Sequence, residues 1–368
     1  MSDRLKLTAL YSVATIALGT LGIIIFNFVA NDWRLVGNPL DVSAIFGDDE
    51  PEVVVDDRLE SHTLHFGDSI RSIRIVSSRL HVNVRGTSSS TIDVALSLAG
   101  DATDSNRFTK TIAVDANGEL SVVAGPSGAP GNASGTIDLT VPSRFILIID
   151  AHEGNVSVVN VAGRSDIRTR SGTVELTGMS GWLHCESDTS MLSLDGCTLD
   201  SATLSTGGLA MLTLTQGAFR VAAGRVVAAN HFGALDASAQ EAISVKLLSD
   251  QSPVRLICES GDVHLRVLNG ARFAFDVSAP LGTIISNVPF DTLTEENATE
   301  HLLRATMNGG GIPAVIRAAK GSVEILLFEA DETSINTPNG ETSARTSELD
   351  WRALHANGFG ARRPLEGS

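Results

Sequence analysis

The stretch Ser171-Gly172-Thr173-Val174-Glu175-Leu176 decides the fold, because the same phrase returns along the chain. Each copy places a glycine and a polar residue before an apolar–polar–apolar trio. The other copies lie at 134–139, 153–158, 260–265 and 320–325, with degenerate versions at 189–194 and 208–214. The anchors Val156, Val174 and Leu192 are evenly spaced, and the next anchor, Leu212, follows after a slightly longer interval. A turn-and-strand phrase with a period of roughly 20 residues predicts stacked coils that bury their apolar sides on their neighbours.

The phrase also predicts which side chains face solvent. In a strand, successive side chains point to opposite faces, so the middle residue of each trio should point outward. These residues, which should stack into one solvent-facing ladder, are Asp138, Ser157, Glu175, Ser193, Thr213, His264 and Glu324. The glycine of each copy is expected at a corner that needs a positive φ or a close approach to the next coil. The apolar run Phe145-Ile146-Leu147-Ile148-Ile149 predicts a strand buried on both faces.

The composition agrees with an all-β class. Of 368 residues, 43% are hydrophobic, which suffices for a core, and 34 are glycine, which suits frequent turns. We therefore predict a β-solenoid, similar to a parallel β-helix, over residues 67–328. Its opening strands, up to about residue 134, are less regular and are expected to cap the open end. Residues 294–303 interrupt the pattern and are predicted to form a short helix.

An uncharged apolar stretch at residues 7–30 predicts one N-terminal transmembrane α-helix. Its 24 residues span roughly 36 Å as a helix, enough to cross a bilayer core of about 30 Å. The exit lacks a good cleavage site, which favours an uncleaved signal anchor. Arg4 and Lys6 in the segment 1–6 place that end in the cytoplasm, and Trp33 marks the far interface. We expect a single-pass protein of the bacterial inner membrane, with its large domain periplasmic or otherwise extracytoplasmic.

Two polar segments flank the predicted β domain. Residues 31–66 form an acidic linker. Residues 329–368 form a polar tail with two interpretations, an unstructured segment or one that folds onto a partner. Isolated apolar side chains in an otherwise polar context are candidates for contact with a partner protein. The candidate partner-contact residues are Trp33, Phe46, Trp351, Leu354 and Phe359.

Charge and motifs exclude several functions. A net charge of −16 argues against nucleic acid as a partner, because phosphate binding needs concentrated Lys and Arg. Cys185, Cys197 and Cys258 lack metal-ligand spacing and are expected to be small buried side chains, with a disulfide between two of them as the alternative. No zincin, nucleophile-elbow or phosphate-loop motif occurs in the sequence. We therefore predict no enzyme activity, no cofactor and no catalytic or metal-binding residue.

At the repeated glycine phrase the chain resembles a bacterial family of adhesin-like β-solenoid proteins of unknown function, similar to autotransporter head repeats. The resemblance covers about residues 70–328. It implies a β-solenoid fold and members held at a membrane, and it carries no catalytic residue over to this sequence. The acidic linker and the tail around Trp351 are departures from the family and leave room for a specialised role.

Three functional hypotheses follow. The main one is a non-enzymatic structural subunit that packs on an integral membrane protein complex, with respiratory or photosynthetic assemblies as candidate hosts. The alternative is a cell-envelope adhesin or surface-binding module that works through its exposed ladder. The most distant is a glycan-active enzyme, which usually stacks sugars on aromatic side chains. Beyond the predicted membrane segment the sequence has no tyrosine, and besides the juxtamembrane Trp33 it has only Trp182 and Trp351, which disfavours such an enzyme. Glycan binding without catalysis is compatible with the sequence but has no specific support in it.

Overall fold

The computed structural model describes residues 58–65, 70–99, 108–126, 134–188, 190–248, 252–297 and 301–329. All of them belong to the compact unit Val55–Ser368. Every helix or strand within these ranges is a β-strand, so the described part of the protein is all-β. The predicted transmembrane helix at 7–30 and the tail beyond residue 329 lie outside the described residues.

There are 24 strands in the described ranges. The first eight are β1 Arg58–His65, β2 Ser72–Ser77, β3 His81–Thr87, β4 Thr91–Ala99, β5 Phe108–Val114, β6 Glu119–Pro126, β7 Ser134–Pro142 and β8 Ile146–Glu153. The next eight are β9 Val156–Val159, β10 Ala162–Ser171, β11 Thr173–Thr177, β12 Ser180–Ser187, β13 Met191–Asp195, β14 Thr198–Thr213, β15 Gln216–His231 and β16 Leu235–Leu247. The last eight are β17 Val254–Cys258, β18 Val263–Leu268, β19 Phe273–Ser278, β20 Ile284–Ser286, β21 Thr292–Asn297, β22 Leu302–Thr306, β23 Ile312–Ala318 and β24 Val323–Phe328.

The strands alternate between two parallel ladders. Ladder A contains β8, β10, β12, the first parts of β14, β15 and β16, and then β17. Ladder B contains β9, β11, β13, the second parts of β14, β15 and β16, and then β18. Each repeat therefore contributes one strand to ladder A and the next strand to ladder B.

The register confirms the period that the sequence predicts. In ladder B, Val156 pairs with Val174 and Val174 pairs with Leu192, so the evenly spaced anchors are direct neighbours. The next partner of Leu192 is Ala210, which continues the same spacing, rather than Leu212. Beyond Ala210 the step changes, because Ala210 pairs with Val226, Val226 with Ile243 and Ile243 with Val263.

At both ends the chain order departs from the spatial order. Near the N-terminal end, β2 lies between β6 and β8, and β3 lies between β7 and β9. Near the C-terminal end, β23 lies between β17 and β19, and β24 lies between β18 and β20. The copies of the phrase at 260–265 and 320–325 are thus direct neighbours, although β19 to β23 separate Val263 from its partner Val323 along the chain.

Antiparallel strands complete the ends. β5 pairs with β6 on ladder A, and β4 pairs with β7 and β1 with β4 on ladder B. β22 pairs with β19, and β21 with β22, at the other end of ladder A. This agrees with the expectation of irregular opening strands. It also places β1, Arg58–His65, within the segment that the sequence predicts to be linker.

The core lies between the ladders, because the buried side chains of both belong to one hydrophobic cluster. Alternate residues are buried in the central strands, as in β11, where Val174 and Leu176 are buried and Glu175 is exposed. Fully burying one such aliphatic side chain stabilises the fold by about 1.5–3 kcal/mol. The repeated trio thus supplies the core of each repeat from its first and third positions.

Glycine occupies the phrase for the two reasons that the sequence predicts. Gly172 has a φ of +114°, and a Cβ added to it would lie 2.3 Å from the carbonyl oxygen of Gly154 in the preceding repeat. A side chain there would be strained and would also push the stacked repeats apart. The glycine therefore sets how closely successive repeats approach at this corner.

The opposite corner, where the chain passes from ladder B to ladder A, uses the left-handed backbone region. The corner residues are Asn160, Gly178, Gly196, Leu214 and Asn230, with φ between 51° and 61°. Four of their amides donate hydrogen bonds of 2.9–3.0 Å to a carbonyl of the next repeat. Leucine is unusual in this region, because its Cβ crowds the following carbonyl.

Two local expectations were wrong. The segment 294–303 is not helical: β21 covers 292–297, and Leu302 and Leu303 begin β22. The physical reason is the buried alternation of Leu303, Ala305 and Met307, which suits a strand paired with β19 and overrides the acidic, helix-like composition. The run 145–149 is buried on one face only, since Leu147 and Ile149 are buried but Ile146 is 44% exposed.

The predicted polar ladder is largely present on the outer side of ladder B. One row of paired residues contains Asp138, Ser157, Glu175, Ser193, His264 and Glu324, which are exposed or half-buried. Thr213 was wrongly assigned to it. Because Ala210 pairs with Leu192, the residue opposite Ser193 is Met211, and Thr213 lies opposite Asp195.

Candidate binding groove

Among the aromatic side chains whose exposure the structure describes, Trp182 is the most exposed, at 60%. It lies on β12, where Leu183 and Cys185 point into the core and Trp182, His184 and Glu186 point outward. The indole is therefore held by the strand on the outer face of ladder A. An exposed Trp combines a large apolar surface with one N–H donor, which is typical of recognition sites.

Small side chains continue the row that begins at Trp182. Ser201 lies opposite Trp182 on β14, and Ala218 lies opposite Ser201 on β15. Ala234, Pro253 and Pro313 line the same depression farther along. Trp182 lines an adjoining depression with Arg164 and His184, and the two depressions share Ser201 and Thr203. Together they form a shallow groove across the strands of ladder A, with the indole near one end.

A second row, rich in hydrogen-bonding groups, forms the side of the groove. It contains His184, Thr203, Arg220, Asp236 and Arg255, which are brought together by strand register. Arg255 donates a hydrogen bond of 2.9 Å from Nη1 to Oδ1 of Asp236. Arg220 Nε lies 3.6 Å from Asp236 Oδ2. These exposed ion pairs add little stability, but they bring three polar side chains together beside the row of small residues.

The far end of this face carries another paired acid. Asp276 accepts a hydrogen bond of 2.5 Å from Nη2 of Arg317, and Arg304 Nε lies 3.7 Å from its other oxygen. The hydrogen bond from Arg317 lowers the pKa of Asp276 below its usual value. Asp276 is therefore ionised and neutralised by its neighbours at physiological pH, so the face carries charges of both signs in close pairs.

The remaining buried reactive groups serve the fold. Cys185, Cys197 and Cys258 are free and buried, which confirms the expectation of small core side chains and not the disulfide alternative. Burial raises the pKa of the Cys185 thiol to about 12, so it is protonated and unreactive at neutral pH. Burial also lowers the pKa of His231 to about 4, with Nδ1 2.9 Å from Thr215 Oγ1 and the ring edge-on to Phe219.

No set of three or more His, Cys, Asp or Glu side chains within the described ranges is arranged to hold a metal ion. In the same part of the chain, no helix has the length and apolarity needed to cross a bilayer. The groove itself offers hydroxyl, guanidinium and carboxylate groups for binding. What its described side chains provide is an apolar surface beside a row of donors and acceptors.

The described residues that line this groove do not include the predicted partner-contact residues. Trp33, Phe46, Trp351, Leu354 and Phe359 all lie outside the described residues, so their predicted role stays a prediction. The groove is not among the sequence-predicted sites, because Trp182 enters the sequence argument only in the count of aromatic residues. The sequence does indicate that Trp182 is exposed. Leu183 and Cys185 alternate with polar residues and should face the core, so Trp182 should lie on the opposite, outer face of the strand with His184 and Glu186.

Comparison with known proteins finds solved structures that resemble this chain but assigns the chain to no family. No protein-family model matches the chain, and no curated protein matches it. A "putative adhesin" from Bacteroides fragilis NCTC 9343 is similar at 10% identity and a TM-score of 0.34, over 73% of this chain and 97% of the other. One from Parabacteroides distasonis ATCC 8503 is similar at 11% identity and a TM-score of 0.30, over 73% and 98%. A "putative cell adhesion protein" from Clostridium sporogenes ATCC 15579 gives 10% identity and a TM-score of 0.20, over 74% and 100%.

Proposed function

We propose that this protein is a non-enzymatic, adhesin-like binding module that presents the groove face of ladder A to a ligand at the cell envelope. The observation that carries the proposal is the exposure of Trp182 at one end of the groove. A large apolar side chain left in water costs free energy unless a ligand covers it. Its position on a paired strand means that little ordering is needed on binding.

The proposed architecture is a β-solenoid in which ladders A and B are the two faces of continuous coils. The alternation of strands between the ladders and the constant register step from β8 to β13 support it. Such a scaffold gives an extended, rigid surface with a repeating side-chain pattern. We further propose that residues 7–30 tether it to the bacterial inner membrane with the β domain outside the cytoplasm, for which the uncharged apolar stretch is the support. Release of the chain from membranes by alkaline carbonate would contradict the tether.

Binding to cell envelopes tests the proposed role. The full chain, in detergent micelles, should co-sediment with isolated bacterial envelopes, and Trp182→Ala should reduce the bound fraction strongly. Leu281→Ala is the matched control, because Leu281 is also apolar and is 74% exposed, but lies between β19 and β20, away from the groove. Equal binding by the native chain and by Trp182→Ala would contradict the proposal.

The structural-subunit hypothesis makes a different prediction. It requires the native protein to migrate with a larger membrane complex at fixed stoichiometry after mild extraction. Its candidate contact residues lie outside the described residues, so none of the described contacts favours it over the binding module. Native electrophoresis followed by identification of the co-migrating chains distinguishes the two hypotheses.

A further inference from the structure

We propose that the groove of ladder A binds a linear, uncharged oligosaccharide that lies across the strands, with one sugar ring stacked on Trp182. This inference rests on the proposed function and specifies its ligand class. Four features of the groove support it: the exposed indole, the arrangement of polar groups, the direction of the groove and the balance of charge.

The indole provides the stacking surface. Trp182 lies between two cross-strand neighbours, Arg164 on β10 and Ser201 on β14. Ser201 is too small to cover the indole, and Arg164 leaves it 60% exposed. A pyranose ring has one face of C–H groups, which are apolar and slightly positive, and these match the negative face of an indole. Its edges carry hydroxyls, which need donors and acceptors beside the aromatic ring rather than above it.

Those donors and acceptors lie two positions along each strand from the row that Trp182 begins. Thr203 is opposite His184, and Arg220 is opposite Thr203. Asp236 then lies between Arg220 and Arg255, at 3.6 Å and 2.9 Å from their nearest nitrogens. Adjacent guanidinium and carboxylate groups match neighbouring sugar hydroxyls, each of which both donates and accepts a hydrogen bond. The ion pairs bring these side chains together, which reduces the ordering that binding requires.

The direction of the groove favours a polymer. From Trp182 to Pro313 the groove crosses β12, β14, β15, β16, β17 and β23, so at about 4.8 Å per strand it spans roughly 24 Å. A linear glycan advances by a similar distance per ring, so successive rings would meet successive strands. An extended peptide would instead bind along a sheet edge, where backbone hydrogen bonds are free.

The charge of the face favours a neutral ligand. Its charged outer residues include Arg164, Asp166, Arg220, Asp236, Arg255, Asp276, Arg304 and Arg317. The aspartates are interspersed among the arginines, and Asp236 and Asp276 are each paired with two arginines. A polyanion needs a run of unopposed positive charge, which this arrangement does not offer. The hydrogen-bonding groups are therefore better matched to uncharged hydroxyls.

Titration calorimetry of the full chain with linear neutral hexasaccharides tests the proposal. The probes are cellohexaose, chitohexaose, maltohexaose and laminarihexaose, with heparin as the polyanionic comparison. At least one neutral probe should bind with an affinity that changes little between low and high salt. Trp182→Ala should weaken that binding by about 30-fold, as expected for a central aromatic contact. Trp182→Phe should retain part of it, and Leu281→Ala should retain all of it.

The outcomes separate the ligand class from the proposed function. If no neutral hexasaccharide binds, or if binding is unchanged in Trp182→Ala, the oligosaccharide proposal is overturned. If envelope binding still depends on Trp182 in that case, the binding module stands and its ligand is of another class. Tight, salt-sensitive binding of heparin alone would identify a polyanion and overturn the neutral ligand. Loss of Trp182 dependence in both assays would overturn the ligand and the function together.

Discussion

The central repeats and the two ends of the ladders are built from the same strand phrase but are assembled differently. Between β8 and β16, each strand pairs with the equivalent strand of the next repeat along the chain. At the ends, Val82 pairs with Val156 and Val263 with Val323, so several other strands separate the partners in sequence. The repeated phrase therefore makes a strand able to pair with other copies of the phrase. Which copy it pairs with is determined by the path of the connecting segments.

The largest effect should come from a side chain placed between two central repeats. Gly217 has a φ of +128°, and a Cβ there would lie 1.7 Å from the carbonyl oxygen of Leu199. Gly217→Ala should lower the free energy of unfolding by about 4 kcal/mol, from backbone strain and overpacking together. Gly196→Ala is the control, because Gly196 also has a positive φ but its Cβ would meet nothing within 4 Å. It should cost only about 1 kcal/mol. Equal losses in urea unfolding would show that the repeats are not in close contact at Gly217.

The buried histidine makes the stability of the central region depend on pH. The pKa of His231 is about 4 in the folded protein and about 6.5 when unfolded, so the unfolded chain binds the proton more tightly. Its stabilising contribution is complete above pH 6.5 and is lost as the pH falls towards 4. The loss should be on the order of 3 kcal/mol. The difference in unfolding free energy between the native protein and His231→Asn, measured over this range, should shrink accordingly. A constant difference would contradict the burial of a neutral imidazole.

The same kind of glycine substitution at an end should have a smaller and more local effect. A Cβ on Gly321 would lie 2.1 Å from the carbonyl oxygen of Gly261, at the contact between the repeat β23–β24 and the repeat before it. Gly321→Ala should cost about 2 kcal/mol. In a protein whose repeats contact mainly their neighbours, the damage should stay near the altered interface. Faster amide exchange is expected in β19, β20, β23 and β24, with β10 to β13 unchanged. Equally faster amide exchange in all strands would contradict the expectation that damage at the C-terminal end does not spread to the central repeats.

Part of this architecture is foreseeable from the sequence. The pairing of Val156, Val174 and Leu192 follows from the repeated phrase, because local period and burial agree there. The insertion of β23 beside β17 does not follow, since the choice of a partner so distant in sequence depends on the path of the intervening segment. One end of the groove is predictable from the sequence and the other is not. The strand alternation around Trp182 is visible in the sequence, whereas Pro313 lines the groove only because β23 is inserted beside β17.

The smallest effect concerns the corner at Leu214. Its φ of +51° is close to that of Gly196 before it and Asn230 after it, but leucine pays a steric cost in this region. Leu214→Asn should stabilise the protein by about 1 kcal/mol, since Asn tolerates the left-handed conformation. Asn230→Leu, the reverse change in the next repeat, should destabilise it by a similar amount. Thermal or urea unfolding of the two variants measures both. Destabilisation by Leu214→Asn would indicate that this half-exposed leucine makes contacts that outweigh its strain.

Cross-linking at the C-terminal end tests the order of the repeats most directly. His264 Nδ1 lies 2.8 Å from Glu324 Oε2, and the two residues pair across β18 and β24, whereas Ile285 lies one strand farther away on β20. Neighbouring strands are about 4.8 Å apart, within the range of a disulfide, and strands two apart are not. The double variant His264→Cys, Glu324→Cys should form a disulfide on mild oxidation, and His264→Cys, Ile285→Cys should not. A disulfide in the second variant and none in the first would place β20 beside β18. That result would contradict the insertion of β23 and β24 between the neighbouring strands, and with it the far end of the groove at Pro313.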